Sequence, residues 1–164
     1  MIRENVFIHP TAEVSPSAKI GAGTRIWNNV QIRENAVIGE NCIISKDCYI
    51  DIDVQIGSGV KIQNGVSVYK GVTVESDVFI GPHVVFTNDL RPRAFNKEWR
   101  ITPTYLEKGC SIGAGCVVVC GVTIGEYSMI GAASLITRDI KPYWLYFGAP
   151  ALPMKQIDRM GNTK

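Results

Sequence analysis

The sequence has few histidines and little net charge. Among 164 residues only His9 and His83 could act as imidazole ligands, so a zinc site of the three-histidine type is strongly disfavoured and we expect no metal. Seventeen basic and 15 acidic residues leave a formal net charge of +2. A net charge this small gives no indication of a nucleic-acid-binding surface, so we expect no nucleic-acid partner.

Long apolar segments are also missing. No run approaches the roughly 18–20 apolar residues of a membrane span, and the start, MIRENVFIHP, lacks the apolar stretch of a signal peptide. We therefore expect a cytoplasmic protein without a membrane span. The five cysteines are odd in number and include no Cys-x-x-Cys pair, which argues against a disulfide framework and a structural zinc site.

A six-residue period dominates the residues that are present. Every sixth residue is large and apolar in two series, which are Ile8, Val14, Ile20, Ile26, Ile32, Ile38, Ile44, Ile50, Ile56, Ile62, Val68, Val74, Ile80 and Phe86, then Leu106, Ile112, Val118, Ile124, Ile130 and Ile136. The residue two positions earlier is always small or β-branched. Two residues that are two apart point to one side of a strand, so each hexad predicts a short strand followed by a turn.

Three such units complete a coil of 18 residues. Gly21, Gly39 and Gly57 are spaced by 18, as one corner of a triangular prism requires. Hexapeptide periodicity is a recognised mark of a parallel β-helix, and we therefore predict an all-β chain of this kind. Four cysteines occupy the small inward position and are expected in the core, namely Cys42, Cys48, Cys110 and Cys116. Cys120 falls outside the pattern, and we expect it to face outward.

The period stops in FTNDLRPRAFNKEWRITPT, residues 86–104. If Leu106 takes the third face of the coil that Phe86 leaves, the register closes, and the intervening segment protrudes from a rigid scaffold. Loops held in this way commonly carry function. The predicted layout is one domain over 1–164, with hexads at 6–87 and 104–140, a loop at about 88–103, and a C-terminal cap at 141–164 in which a short helix near 154–160 is one option.

Stacking by 18 residues gathers polar side chains at one corner beside this loop. The residues concerned are Tyr69, Lys70, Asn88, Cys120 and Arg138, with Arg91 and Arg93 on the loop itself. A cationic groove that also carries an amide suits an anionic ligand such as a diphosphate. A solvated edge of the prism is the alternative interpretation.

Two segments carry a resemblance to a known family. KIQNGVSVYKGVTVESDVFIGPHVVFTNDLRPRA and GCSIGAGCVVVCGVTIGEYSMIGAASLITRDI resemble hexapeptide-repeat acyltransferases, and the resemblance covers about residues 6–155. In detail they resemble the nucleotide-linked 3-amino-sugar N-acetyltransferases of surface-polysaccharide biosynthesis. The resemblance implies a left-handed parallel β-helix, a homotrimer with sites between subunits, and acetyl transfer from acetyl-CoA. The implied acceptor is UDP-2-acetamido-3-amino-2,3-dideoxyglucuronate or a dTDP-3-amino-3,6-dideoxyhexose.

The same resemblance suggests roles for individual residues. Asn88, which follows the Phe-Thr step, is expected to contact the substrate amine, and Arg93, in the Pro-Arg step of the loop, is expected to bind the nucleotide sugar. Tyr69, Lys70 and Arg91 are expected to bind it as well, because stacking and the loop place them at the same corner. The expected CoA-binding residues are Ala114 and Ala132 in the IGAG and IGAAS turns, Thr137 and Arg138 in the later coils, and Lys155 in GAPALPMK. Cys120 is added to them because stacking places it in the same column as Arg138. Small residues at the turns allow a linear pantetheine arm to lie close to the backbone.

One departure from many hexapeptide O-acetyltransferases is informative, because the loop carries no histidine. A sugar hydroxyl needs a positioned base to attack a thioester. An amine with a pKa of about 8 is already roughly a tenth neutral at pH 7 and needs mainly positioning. The sequence therefore favours N-acetylation, with O-acetylation by His83 as general base remaining the alternative.

Other classes fit less well. A metal-dependent β-helix, as in the γ-type carbonic anhydrases, needs three histidine ligands per ion. A non-catalytic β-helix that serves as a structural or assembly subunit remains open, although it has no need of Asn88 and the loop arginines. A dinucleotide-binding interpretation of GAGCVV fails because the third glycine and the following helix are missing.

Overall fold

The fold is built from very short strands, each ending in an inward-facing apolar residue. The computed structural model describes residues 5–163. Before the loop the strands are β1 (Phe7–Ile8), β2 (Glu13–Val14), β3 (Lys19–Ile20), β4 (Arg25–Ile26), β5 (Gln31–Ile32), β6 (Val37–Ile38), β7 (Ile43–Ile44), β8 (Tyr49–Ile50), β9 (Gln55–Ile56), β10 (Lys61–Ile62), β11 (Ser67–Val68), β12 (Val72–Val74), β13 (Phe79–Ile80) and β14 (Val85–Phe86).

After the loop the same construction resumes. The strands are β15 (Thr104–Leu106), β16 (Ser111–Ile112), β17 (Val117–Val118), β18 (Thr123–Ile124), β19 (Met129–Ile130), β20 (Leu135–Ile136), β21 (Trp144–Phe147) and β22 (Leu152–Gln156). Across residues 5–163 no helix is assigned, so the all-β prediction is confirmed there. None of these residues accordingly forms a helix that could cross a membrane.

Every third strand belongs to the same sheet. Within the described part of the chain, sheet 1 has nine strands in the order β1-β4-β7-β10-β13-β16-β19-β21-β22, sheet 2 has seven from β2 to β20, and sheet 3 has six from β3 to β18. Successive coils pair in parallel, as Ile26 does with Ile44 and Ile44 with Ile62. The 18-residue coil predicted from the sequence is therefore confirmed.

The core is a single apolar column enclosed by the three sheets. From Ile20 to Ile136 the large residues of both hexad series are at most 3% exposed. The small inward positions from Ala18 to Ser134 are buried with them. Several of their polar members hydrogen-bond to the backbone of the next coil, whereas Ser128 Oγ is buried without a partner among the described residues. Thr24 Oγ1 donates to the carbonyl of Gly39 at 2.8 Å, and Cys42 Sγ donates to the carbonyl of Gly57 at 3.1 Å. These hydrogen bonds satisfy polar groups that would be costly to bury alone.

The turns form three corners, named here by the sheets that they connect. Corner 1 leads from sheet 1 to sheet 2, corner 2 from sheet 2 to sheet 3, and corner 3 from sheet 3 to sheet 1. Each regular corner holds one residue in the left-handed region, as at Asn29, Asp47 and His83, whose φ angles are 57°, 59° and 57°. Asn and Asp tolerate this conformation better than most side chains, which explains their recurrence at the corners.

The loop leaves corner 2 without disturbing the register. Phe86 pairs with Val118 in sheet 2, and Leu106 pairs with Val74 in sheet 3. The chain therefore departs after β14 and re-enters at β15 on the face where the interrupted coil would have continued, as predicted.

Two expectations from the sequence are wrong. The C-terminal segment contains no helix within the described residues, because β21 and β22 pair as an antiparallel hairpin at the edge of sheet 1. Cys120 does not face outward, since only 4% of it is exposed. The returning end of the loop lies against this corner: a Cβ added at Gly121 would come within 3.0 Å of the Thr102 side chain.

Candidate functional site

Corner 2 brings Asn88 directly onto the coil below it. The Asn88 carboxamide nitrogen Nδ2 donates to the carbonyl oxygen of Lys70 at 3.3 Å. A carbonyl oxygen only accepts hydrogen bonds, so the amide group that faces it must be the NH₂. The Asn88 backbone is held as well, because its carbonyl accepts from the N–H of Thr102 at 2.9 Å. The carboxamide oxygen Oδ1 is thereby left as the acceptor that Asn88 can offer to a ligand.

Lys70 lies at this corner, but its charge is already engaged. Its Nζ is 2.7 Å from Asp53 Oδ2, and both side chains are about half exposed, at 47% and 46%. An exposed pair of this kind contributes little to stability. Its local consequence is that the Lys70 ammonium is partly neutralised toward an anionic ligand.

The loop adds cations and aromatic rings above the corner. An open groove of about 520 Å³ is lined by Asn88, Asp89, Pro92, Arg93, Ala94, Asn96 and Trp99. Arg93 Nη1 donates to the carbonyl of Pro92 at 2.7 Å, and the backbone N–H of Arg91 donates to Asp89 Oδ1 at 2.8 Å. Phe95 and Trp99 are 82% and 48% exposed. The predicted substrate-binding arginines and Asn88 thus lie in one region.

The later coils of corner 2 carry three of the predicted CoA-binding residues. Thr137 and Arg138 are exposed at the corner that follows β20. Cys120 lies in the coil between them and the loop, with its thiol buried. Its backbone N–H donates a 2.9 Å hydrogen bond to Thr87 Oγ1.

Three other predicted residues lie at corner 1 instead. His83, Ala114 and Ala132 are all exposed on successive coils there. The His83 ring packs against the corner below, where a Cβ added at Gly65 would meet Nδ1 at 2.7 Å. The five residue steps from His83 to Asn88 include strand β14 and span about 16 Å of extended chain. The structure therefore does not bring His83 together with Asn88 within one chain.

Lys155 stands apart from both groups. It lies exposed on β22, opposite Leu145 of β21, at the C-terminal edge of sheet 1.

A polar cluster below Asn88 was missed by the sequence analysis. Asp51 Oδ1 accepts from the Tyr49 hydroxyl at 2.9 Å and from the Ile52 N–H at 2.8 Å, while Oδ2 accepts from the Lys70 N–H at 3.0 Å. Burial raises the pKa of Asp51, but these hydrogen bonds outweigh it and hold that pKa below its usual value. Stacking by 18 places Asp51 under Tyr69, so the spacing indicates that Asp51 lies at this corner but not which donors its carboxylate accepts from.

Comparison with known proteins finds similarity to sugar acetyltransferases. The chain is 35% identical to a galactoside O-acetyltransferase of Lactococcus lactis over 99 residues, which cover 51% of this chain and 45% of that protein. It is 56% identical over 48 residues to a dTDP-3-amino-3,6-dideoxy-alpha-D-galactopyranose 3-N-acetyltransferase of Aneurinibacillus thermoaerophilus, covering 29% of this chain and 25% of that one. The chain thus spans less than half the length of these relatives.

A solved structure shares the fold over most of the chain. PerB from Caulobacter crescentus, in complex with CoA and GDP-perosamine, superposes with a TM-score of 0.57 and 25% identity, over 91% of this chain and 56% of that one. The hexapeptide family matches residues 1–34, 17–51, 53–88 and 103–138, which together are most of the sequence. The fold is the left-handed parallel β-helix predicted above, and the chain belongs to the bacterial transferase hexapeptide (six repeats) family.

Proposed function

We propose that the protein transfers an acetyl group from acetyl-CoA to the 3-amino group of a nucleotide-diphosphate amino sugar. The acceptor is of the UDP-2-acetamido-3-amino-2,3-dideoxyglucuronate or the dTDP-3-amino-3,6-dideoxyhexose type. The similarity to a 3-N-acetyltransferase of dTDP-linked sugars and to a CoA complex of PerB supports this class of reaction. Since acetyl-CoA and nucleotide sugars are cytoplasmic metabolites, the proposal includes a cytoplasmic location.

The observation that carries the proposal is the orientation of Asn88. Its Nδ2 is committed to the Lys70 carbonyl, so its Oδ1 can accept from an N–H of the sugar amine. That contact would point the nitrogen lone pair toward the acetyl carbon. Arg91 and Arg93, which are exposed on the loop above, are suited to the diphosphate.

The reaction needs positioning more than a strong base. The neutral amine nitrogen attacks the thioester carbonyl, a C–N bond forms, the C–S bond breaks, and CoA leaves as the thiolate. The proton lost by the nitrogen goes to that thiolate or to water. Correct placement of the two reactants can lower such a barrier by about 7–11 kcal/mol, and donors near the thioester oxygen would stabilise the developing charge.

The arrangement of the corners supports the proposed CoA-binding roles. Ala114 and Ala132 at corner 1 offer exposed backbone to the pantetheine arm, while Thr137 and Arg138 at corner 2 and Lys155 on β22 offer polar and cationic groups. The two alanines and the Thr137–Arg138 pair lie on opposite edges of sheet 2, and Lys155 lies on sheet 1. Residues this far apart on one chain do not line one small site. This separation supports a homotrimer whose sites lie between neighbouring prisms.

O-acetylation is the alternative that one comparison favours, because a galactoside O-acetyltransferase is among the relatives. It would require a base such as His83 at the acceptor hydroxyl. His83 lies one strand away from Asn88, at the other corner, so the two residues could meet only between neighbouring chains.

The decisive experiment measures thiol release from acetyl-CoA with matched acceptors. Each 3-amino nucleotide sugar is compared with its 3-hydroxy counterpart at equal concentration. We expect turnover with at least one amine and none above background with the hydroxyl compounds. Faster acetylation of a hydroxyl acceptor would replace the proposal with O-acetylation, and absence of release with every acceptor would favour a non-catalytic subunit.

A further inference from the structure

The corner directly below Asn88 departs from the regular pattern. In most corners the N–H of the left-handed residue donates to a carbonyl one coil earlier, as from His83 to Asn64 at 2.9 Å and from Asp53 to Glu34 at 3.0 Å. At Asn29 and Asn35 it donates to a side-chain hydroxyl of the preceding coil instead. In the next coil of corner 2 the inter-coil bond runs instead from the Lys70 N–H to Asp51 Oδ2, at 3.0 Å. The following residue, Gly71, has a positive φ of 98°.

The Asp51 carboxylate fits this place because it only accepts. Three donors converge on it, namely the Tyr49 hydroxyl at 2.9 Å, the Ile52 N–H at 2.8 Å and the Lys70 N–H at 3.0 Å. Arg33 Nη1 in turn donates to the Tyr49 oxygen at 3.3 Å. A carboxamide at residue 51 has one acceptor oxygen and would turn an NH₂ toward at least one donor.

Lys70 connects this cluster to the proposed catalytic residue. Its N–H is bound by Asp51 and its carbonyl receives Asn88 Nδ2 at 3.3 Å. Fixing both backbone groups of one residue restricts its φ and ψ, and therefore the direction of the carbonyl to which Asn88 is bound. We propose that Asp51 is a positioning residue, which acts through the Lys70 backbone to hold the Asn88 carboxamide with Oδ1 toward the acceptor amine. This inference rests on the proposed function for its catalytic meaning.

Asp53 provides a matched control on the same turn. It contacts Lys70 through the side chain only, with Oδ2 at 2.7 Å from Nζ, and its Oδ1 accepts from Asn35 Nδ2 at 3.2 Å. Asp53→Asn removes the same charge two residues away and leaves the Lys70 backbone contact intact. Asn also tolerates the left-handed φ of 61° at this position.

The first measurement is steady-state kinetics of wild type, Asp51→Asn, Asp53→Asn, Asn88→Ala and the Asp51→Asn/Asn88→Ala pair. We expect Asp51→Asn to lower kcat for the amino sugar about 10- to 100-fold, because loss of orientation acts on the reacting geometry. The KM for acetyl-CoA should change less than about twofold, and Asp53→Asn should keep kcat within about threefold of wild type. In the Asn88→Ala background, Asp51→Asn should have almost no further effect on kcat, because the positioned group is gone.

Equal kcat values for Asp51→Asn and Asp53→Asn, with wild type active and Asn88→Ala impaired, would overturn the positioning role and leave the proposed function standing. A full additional loss of kcat in the double variant would also overturn it, since Asp51 would then act independently of Asn88. Tyr49→Phe, which removes one donor and keeps the carboxylate, provides a milder second variant. Its kcat should lie between those of wild type and Asp51→Asn.

The second measurement does not depend on turnover. The Asn88 side-chain NH₂ signals in a ¹⁵N NMR spectrum are assigned by their loss in Asn88→Ala. We expect these signals to move toward the shifts of solvent-exposed carboxamides in Asp51→Asn and to stay in place in Asp53→Asn. Unmoved signals in Asp51→Asn would reject the positioning role whether or not any amino sugar is acetylated. If wild type is inactive while the signals move, the proposed function fails and the structural coupling stands.

Discussion

The hydroxyl oxygen of Thr87 accepts a hydrogen bond from the backbone N–H of Cys120 at 2.9 Å, across 33 positions of sequence. These residues lie on neighbouring coils of corner 2. Their separation exceeds the regular 18 residues because the loop is inserted between them. The hydroxyl also lies 3.5 Å from the Val118 carbonyl, to which it can donate. The Thr87 side chain thus links two coils of the β-helix at the point where the loop leaves it.

Thr87→Val should therefore destabilise the fold. The substitution keeps the shape and removes the acceptor of the Cys120 N–H, and an unsatisfied buried donor costs about 1–3 kcal/mol. Urea unfolding followed by circular dichroism should show a lower midpoint with an unchanged slope. Thr87→Ser, which retains the hydroxyl, is the control. Equal midpoints for the two variants would mean that the hydrogen bond contributes nothing measurable.

Much of the fold was predictable because the hexad repeats at the level of single residues. A large inward residue every six positions, such as Ile44 and Ile62, can be buried only by a three-sided coil, and the interruption closes in register at Leu106. The pattern could not predict Cys120, which lies outside the inward positions and is buried by the returning loop. Nor could it predict the terminal hairpin, since β21 and β22 pair in an antiparallel manner beyond the last hexad.

The candidate site was predictable in part. Stacking by 18 residues correctly set Asn88 over Lys70, because residues one coil apart occupy the same corner. The Lys70–Asp53 ion pair and the Asp51 cluster depend on side-chain directions within a turn, which spacing does not determine. His83 and Asn88 are only five residues apart, yet a strand between two corners separates them.

Thiol reactivity should be low at every cysteine. All five are at most 4% exposed, and burial raises the pKa of Cys48 to about 11 and of Cys110 to about 12. Since the thiolate is the reactive form, labelling of the native protein by a disulfide reagent should be slow. Its rate should be limited by unfolding of the protein. The same labelling in urea gives the reference rate. Labelling of native Cys120 within seconds would show that the loop opens at this corner.

CoA binding should depend on Arg138 and Lys155. Arg138→Ala or Lys155→Ala is expected to raise the KM for acetyl-CoA about 3- to 30-fold, as loss of an exposed charge contact to a phosphate implies. The KM for the amino sugar should change much less. Lys141→Ala serves as a control, because Lys141 is an exposed cation outside the predicted set. An unchanged acetyl-CoA dependence in both variants would reject these two roles.

The contribution of Asp51 to stability should depend on pH. Its pKa is lowered in the folded protein, where hydrogen bonds from Lys70, Ile52 and Tyr49 outweigh the effect of burial. A carboxyl group of this kind adds stability above its unfolded pKa of about 3.9, and that stability is lost as the pH falls through the folded value. The difference in unfolding free energy between wild type and Asp51→Asn should have its largest value at pH 7 and should decrease below about pH 4. Asp53, whose pKa is also lowered, is present in both proteins and cancels. A difference that stays constant down to pH 3 would contradict this linkage.

The relative loss of activity on substitution of Asn88 and of His83 distinguishes the two possible mechanisms. Asn88→Ala removes the acceptor that orients the sugar amine and should lower kcat/KM about 10- to 1000-fold, equivalent to roughly 1.4–4 kcal/mol of transition-state stabilisation. Folding should survive, because Asn88 lies outside the buried hexad positions. His83→Ala should cost less than about fivefold, since an amine near neutrality does not need a strong base. His83 adopts a φ of 57°, so His83→Asn, which tolerates that conformation, separates loss of the imidazole from backbone strain. If both His83 variants were inactive and Asn88→Ala were close to wild type, amine positioning would have to give way to histidine general-base catalysis, as O-acetylation requires.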